Sequence, residues 1–229
     1  MVADSQLLLR LDQGSQDPIN ATSEQALLDR LAALWQGCDA VIVSDYCYGI
    51  LTPRIIQALT QWQGLAPRPL VVDARQLSAY REVGVTAVQP NYQEALQLLG
   101  ELSSENLSSE DFSSEKRVEQ ITAHGPRLLE LAGARLAAIS LDCDGALIFE
   151  HGHPVHRTYA PAIPEAHPAG AGDTFVSAFT LALAAGAAPS LAADLASAAA
   201  AVVVAQAGTT ACSGADLQSS LELLNRSLR

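Results

Sequence analysis

The residues best placed to do chemistry stand together at 168–175, Pro-Ala-Gly-Ala-Gly-Asp-Thr-Phe. Gly170 and Gly172 flank Ala171 and run straight into Asp173, and an apolar-rich stretch over 175–185 follows with neither Pro nor Gly until Gly186. That pattern predicts a glycine turn opening a buried helix. The first amides of a helix lack intrahelical acceptors, and the helix dipole adds positive charge at that end. Glycines let a ligand approach the bare backbone, so the stretch suits an anion such as phosphate. Asp173 then has two readings. As a general base it takes a proton from a hydroxyl while the amides hold the developing charge. As a structural residue it caps the helix, since Asp is a favoured N-cap.

Further polar residues recur where short apolar runs end. Residues 40–43, 69–72 and 85–88 read as strands closing on Ser44-Asp45, Asp73 and Pro90-Asn91. Helical spacing lies between them: Leu27, Leu31, Leu34 and Trp35 after a capping-box pair at Thr22 and Gln25, then Ile55, Leu59 and Trp62 after Thr52-Pro53. A short helix over 91–99 stops at Gly100, and a longer one over 118–131 continues through Gly125-Pro126. Residues 134–141 and 146–150 form a hairpin about Asp142-Cys143-Asp144-Gly145, with an edge strand over 154–159. Residues 191–206 and 215–224 are the last helices, and a first strand is expected over 7–11. Strands alternating with helices predict a parallel sheet covered on both faces, with ligands beyond the C-terminal strand ends. Asp45, Asp73, Asn91 and Glu94 all fall there.

The 229 residues suit a single domain over 1–229, with a Ser/Glu-rich low-complexity insertion at 101–117. A hydrophobic content of 49% is ample for a core, and a net charge of −12 argues against nucleic acid or an anionic membrane as partner. Any phosphorylated ligand therefore needs local positive charge from helix ends, a metal ion or a few Arg. Four scattered cysteines lack zinc spacing, and the start has no signal-peptide pattern. These features fit a cytoplasmic protein with free thiols.

Gly-Ala-Gly-Asp ahead of an apolar helix resembles the C-terminal signature of the ribokinase-like (PfkB) sugar kinases. Other pieces follow in that family's order: Ser44-Asp45-Tyr46, Asp73, Pro90-Asn91-Tyr92-Gln93-Glu94, the turn from Ser140 to Gly145, and Gly208-Thr209-Thr210. Leu8-Leu9-Arg10-Leu11-Asp12 and Val43-Ser44-Asp45-Tyr46 have near counterparts in the kinase domain of bifunctional heptose-phosphate kinase/ADP-heptose synthase proteins. The resemblance implies a ribokinase-like three-layer α/β/α domain with a mostly parallel sheet. It implies an ATP-dependent carbohydrate kinase acting on a small-molecule sugar or sugar phosphate, heptose-7-phosphate kinase-like. Gly170, Ala171 and Gly172 then form the anion hole and Asp173 is the base. Asn91 and Glu94 act on magnesium through water, the turn of Ser140, Asp142 and Gly145 approaches the nucleotide phosphates, and Ser197 and Gly208 match the adenine side.

Several residues depart from the family's pattern. His167 and Ala169 stand where an acid and a Thr are usual, Asp142 replaces Gly or a basic residue, Tyr48 replaces a Lys, and Ser197 replaces an Asn. The chain also begins where the first part of a family kinase would be complete, so an N-terminally truncated domain is expected. A homo-oligomer or a separate N-terminal segment would complete it. The competing reading is a degenerate or fragmentary, non-catalytic nucleotide-binding or scaffolding protein. A strand edge left open near 7–11 or 40–45 would favour self-association.

Overall fold

The computed structural model describes residues 2–3, 6–7, 14–100, 113–161, 163 and 166–227. Its centre is a sheet of six strands in the order β3 (Val41–Asp45), β4 (Leu70–Ala74), β5 (Ala87–Val88), β6 (Leu136–Ser140), β7 (Ala146–Glu150) and β8 (His156–Arg157). The first four are mutually parallel, and β7 and β8 add antiparallel strands at one edge. Period-two alternation sorts the strand residues onto two faces. Leu70, Val72, Ala137, Ile139, Leu147 and Phe149 join one core, while Val71, Leu136, Ala138, Ala146 and Ile148 join the other.

The helices divide accordingly. On the first face lie α1 (Ala21–Trp35), α2 (Pro53–Leu65), α3 (Tyr92–Leu99) and α4 (Ser114–Ala132). On the second lie α5 (Ala171–Ala184) and α6 (Pro189–Val204), whose Ala192, Ala193 and Ala196 allow close approach to Phe175, Val176 and Phe179. α7 (Gly214–Ser227) is the last helix among the described residues. This is the three-layer α/β/α arrangement expected from the sequence. No helix of the described residues is long and apolar enough to cross a membrane, and the four cysteines are free thiols.

Local signals account for most boundaries. Thr52 caps α2 by accepting from the Ile55 amide, with Pro53 in the first turn. Asn91 caps α3 in a reciprocal capping box with Glu94, and Gly100 ends it in a left-handed conformation. α4 passes through Gly125-Pro126 because residue 125 lies under the Phe149 ring. A Cβ there would come within 2.1 Å of that ring, so the glycine is a packing notch.

Some expectations need correction. The Thr22–Gln25 pair does not cap α1; Asn20 does, its side chain accepting from the Ser23 amide at 2.9 Å. Asn is as good a cap, and the Ile19 amide, bonded to the Gly49 carbonyl, fixes the chain's entry one residue earlier. Leu34, one of the residues at helical spacing in the sequence, is exposed, whereas Leu28, outside that set, is buried. Of the strand expected over 7–11, Leu7 ends β2 (Gln6–Leu7), which pairs antiparallel with β1 (Val2–Ala3) apart from the main sheet. Residues 8–11 lie outside the described residues, as do 101–112 of the Ser/Glu-rich insertion. The end of that insertion, 114–117, forms the first turn of α4.

Candidate active site

The strand ends open onto a cleft of about 230 Å³ lined by Asp45, Tyr46, Asp73, Arg75, Gln89, Asn91, Glu94, Ser140 and Gly172. Each element supplies its side chain at the point where pairing stops. Asp45 is the last residue of β3, and both its oxygens are engaged. The Cys47 amide donates to Oδ1 at 2.9 Å and the Tyr80 hydroxyl to Oδ2 at 2.7 Å. Asp73 lies one residue before the end of β4, paired in register with Ser44. Asn91, beyond β5, bridges to Ser140 at the end of β6, which draws the start of α3 against that strand end.

The glycine stretch meets this cleft from α5. Gly170 is the N-cap at φ +84°, a conformation that favours glycine, and Gly172 lines the cleft. Asp173 is therefore in the first turn and is not the N-cap, which disposes of the capping alternative. Its Oδ1 accepts from the Tyr46 hydroxyl at 2.8 Å, tying α5 to the end of β3. The Ala171 amide is spent on the Pro168 carbonyl at 3.1 Å, which leaves Gly172 and Asp173 as the first-turn residues whose amides lack intrahelical acceptors. Thr209 Cγ2 lies 3.7 Å from where a Gly170 Cβ would stand, which puts the 208–210 loop beside the turn.

Electrostatics mark the cleft as a place of crowded negative charge. Asp73 is raised to about 6 by burial first, and then by the charges of Glu94 and Asp173. Tyr46 is raised by its bond to Asp173 and by desolvation. Glu94 spends Oε2 on the Asn91 amide at 2.9 Å, and Asn91 Oδ1 accepts from the Glu94 amide.

Among the described residues no group of three or more His, Cys, Asp or Glu is placed to hold a metal ion directly. Asp73 and Glu94, which feel each other's charge across the open cleft, fit a cation that keeps its own water, which is the habit of magnesium.

The other residues singled out from sequence lie away from this cleft. Asp142 adopts φ +55° in the turn after β6, a conformation that explains the usual glycine there. Its side chain is 79% exposed and bonds Arg117 Nη2 at 3.0 Å. Gly145 packs on the chain at Thr158, leaving no room for a side chain. Ser197 donates to Thr158 Oγ1 at 2.7 Å, and that oxygen also accepts the Ala146 amide. Gly208 sits at φ +84° with open space around it.

Sequence reasoning passed over three cleft or turn residues. Among the described residues, Arg75 is the one cationic residue lining the cleft. Gln89 is 4% exposed and its Oε1 has no partner among the described residues. Arg117, near the start of α4, is 12% exposed and pairs with Asp142. Position after a strand end was the available signal for the first two.

The sequence pattern of the pfkB family carbohydrate kinase matches residues 50–216. The chain belongs to the pfkB carbohydrate kinase family. Among curated relatives it is similar to the bifunctional protein HldE of Desulfatibacillum aliphaticivorans, 33% identical over 97% of this chain and 43% of that protein. It is also similar to HldE of Caulobacter vibrioides, 30% identical over 94% of this chain and 42% of that one. The chain thus spans about two-fifths of the length of these relatives. Among solved structures it resembles phosphofructokinase-2 from Escherichia coli, with TM-score 0.70, 22% identity, and 91% of this chain and 64% of that one covered. Arabidopsis thaliana ribokinase, complexed with ribose and ATP, has TM-score 0.61 and 19% identity, with 91% and 60% covered. These likenesses confirm the ribokinase-like fold.

Proposed function

We propose that this chain is the nucleotide-binding and catalytic portion of an ATP-dependent carbohydrate kinase whose acceptor is a sugar or sugar phosphate, heptose 7-phosphate-like. The observation that carries the reading is the meeting of Asp173 and Gly172 with the strand-end cleft at the start of α5. Family membership and the similarity to HldE proteins support the substrate class.

In this mechanism the acceptor hydroxyl approaches Asp173 on Oδ2, while Tyr46 holds Oδ1. Asp173 takes the hydroxyl proton as the acceptor oxygen bonds to the γ-phosphorus of ATP. The bond from that phosphorus to the bridging oxygen breaks, and ADP leaves. The Gly172 and Asp173 amides and the α5 dipole stabilise the transferring oxygens without moving. Glu94, Asn91 and Asp73 would hold magnesium through water, and the bound ion would neutralise phosphate charge. Ser197 and Gly208 would stand on the adenine side.

The alternative, a non-catalytic nucleotide-binding or scaffolding protein, draws on Asp142, a carboxylate in the turn assigned to phosphate. Phosphotransfer from Mg-ATP to a panel of sugars and sugar phosphates, read by product mass beside Asp173→Asn, separates the two. A product that the variant does not form supports the kinase. A folded wild type that yields none, yet binds nucleotide, supports the alternative.

A further inference from the structure

Arg117 is the feature that the cleft chemistry leaves unexplained. It stands in the first turns of α4, and its guanidinium lies over the Tyr92 ring, 4.7 Å from the centroid. Its Nη2 donates to Asp142 Oδ2 at 3.0 Å and Nη1 lies 3.8 Å from Asp144 Oδ2. The side chain is only 12% exposed, and its Nε is buried without a partner among the described residues. Burying a guanidinium and leaving one donor unmet is a poor route to stability, because apolar side chains fill such space at least as well. The placement therefore calls for another explanation.

What Arg117 touches supplies it. Tyr92 is the first residue of α3, next to Asn91 and two before Glu94, which line the cleft. Asp142 and Asp144 belong to the turn that leaves Ser140, also in the cleft. From the other side Arg157 Nη2 donates to the Asp144 carbonyl at 3.4 Å. One guanidinium thus joins the start of α3 to the turn after β6, each next to residues that line the cleft.

We propose that Arg117 is a positioning residue that makes an acidic turn compatible with nucleotide phosphates. It draws the Asp142 carboxylate to the α4 side, cancels its charge, and ties the 142–145 turn to the start of α3. The nucleotide part of this inference rests on the kinase reading; the hold on the turn does not.

The test uses Arg117→Met, which keeps an apolar stem, Arg117→Lys, which keeps the charge without the planar head, and Arg117→Met combined with Asp142→Gly. Hydrogen exchange at the Asp144 and Gly145 amides reads the turn directly. Titration with Mg-ATP and the split between KM and kcat read its effect on nucleotide. Arg117→Met is expected to speed exchange and weaken Mg-ATP binding about tenfold, the scale of one charged hydrogen bond, with KM for Mg-ATP changing more than kcat. Arg117→Lys is expected to fall between. Adding Asp142→Gly is expected to restore binding, because the uncompensated carboxylate is gone and glycine suits the positive φ.

Unchanged exchange and binding in Arg117→Met overturn the proposal. So does a double variant that binds no better than the single one, since Arg117 is then only packing. If the wild type binds no Mg-ATP, the kinase reading fails and the exchange measurement alone decides. Faster exchange in folded Arg117→Met or Arg117→Lys upholds the hold on the turn, and unchanged exchange removes it.

Discussion

Replacing Asp73 by Asn should stabilise this protein above neutral pH. Burial and the charges of Glu94 and Asp173 all push the Asp73 carboxyl in one direction, from an ordinary 3.8 to about 6. A raised carboxyl pKa means the folded state holds its proton more tightly than the unfolded chain does. The stability this contributes is complete below about pH 3.8 and is lost as pH rises through about 6. Above that, the folded protein carries a charge it would do better without. Fully expressed, the difference is worth about 3 kcal/mol. Asp73 is only half-buried and faces a wet cleft, so screening reduces this to about 1–2 kcal/mol. For a chain of this size that is a gain of roughly 2–8 °C in Tm. Thermal unfolding of wild type and Asp73→Asn from about pH 4 to about pH 8 checks both sign and window. The variant should melt higher at pH 8, and the gap should close towards pH 4. A variant that melts at or below wild type at pH 8, or a gap independent of pH, would refute the reasoning.

Other positions give sharper contrasts. Gly145 and Gly170 share a positive φ, but a Cβ on Gly145 would meet the Thr158 carbonyl oxygen at 2.2 Å, whereas one on Gly170 has nothing nearer than 3.7 Å. Gly145→Ala should cost about 3 kcal/mol or more and Gly170→Ala only about 1 kcal/mol of backbone strain; denaturant titration of both compares them, and equal losses would contradict the account. β3 is one of the two outer strands of the sheet among the described residues, and Ile42 on it is 40% exposed. The chain should therefore gain mass with concentration in light scattering, and Ile42→Lys should suppress the gain; a wild type that stays monomeric at high concentration counts against it.

How much of this could be read beforehand depended on range. The Thr52 cap, the Asn91–Glu94 pair, Gly100 and the hairpin about Gly145 are set by residues within four of each other, and sequence displays them. The parallel sheet followed from the alternation of elements. Asn20 was missed because its rival Thr22 also fits a cap, and the choice was made by the distant Gly49 carbonyl. Leu34 has helical spacing, but only the placing of α1 against α2 decides that Leu28 is the inner residue. At the cleft, Asp173 was legible as chemistry, and its partner Tyr46 was not, since 127 residues separate them. Arg117 sits at the end of a Ser/Glu-rich stretch whose composition suggests only solvent exposure. Its partners Tyr92 and Asp142 come from two other segments.

The notch at Gly125 reaches further than its own packing. Eight residues of helix, about 12 Å at 1.5 Å each, separate it from Arg117. With the Phe149 ring seated where a side chain would be, α4 can neither roll nor slide over the sheet at that point. Gly125 works as a fulcrum, and the guanidinium on Asp142 is the far end of the lever. Enlarging residue 125 by one methyl group should lift the helix off β7 and swing that end away from the turn. A mutation deep in the core would then loosen a loop it never touches, and only a smaller residue at 149 would bring the loop back. Positions 125 and 149 are thus free to vary together but not separately.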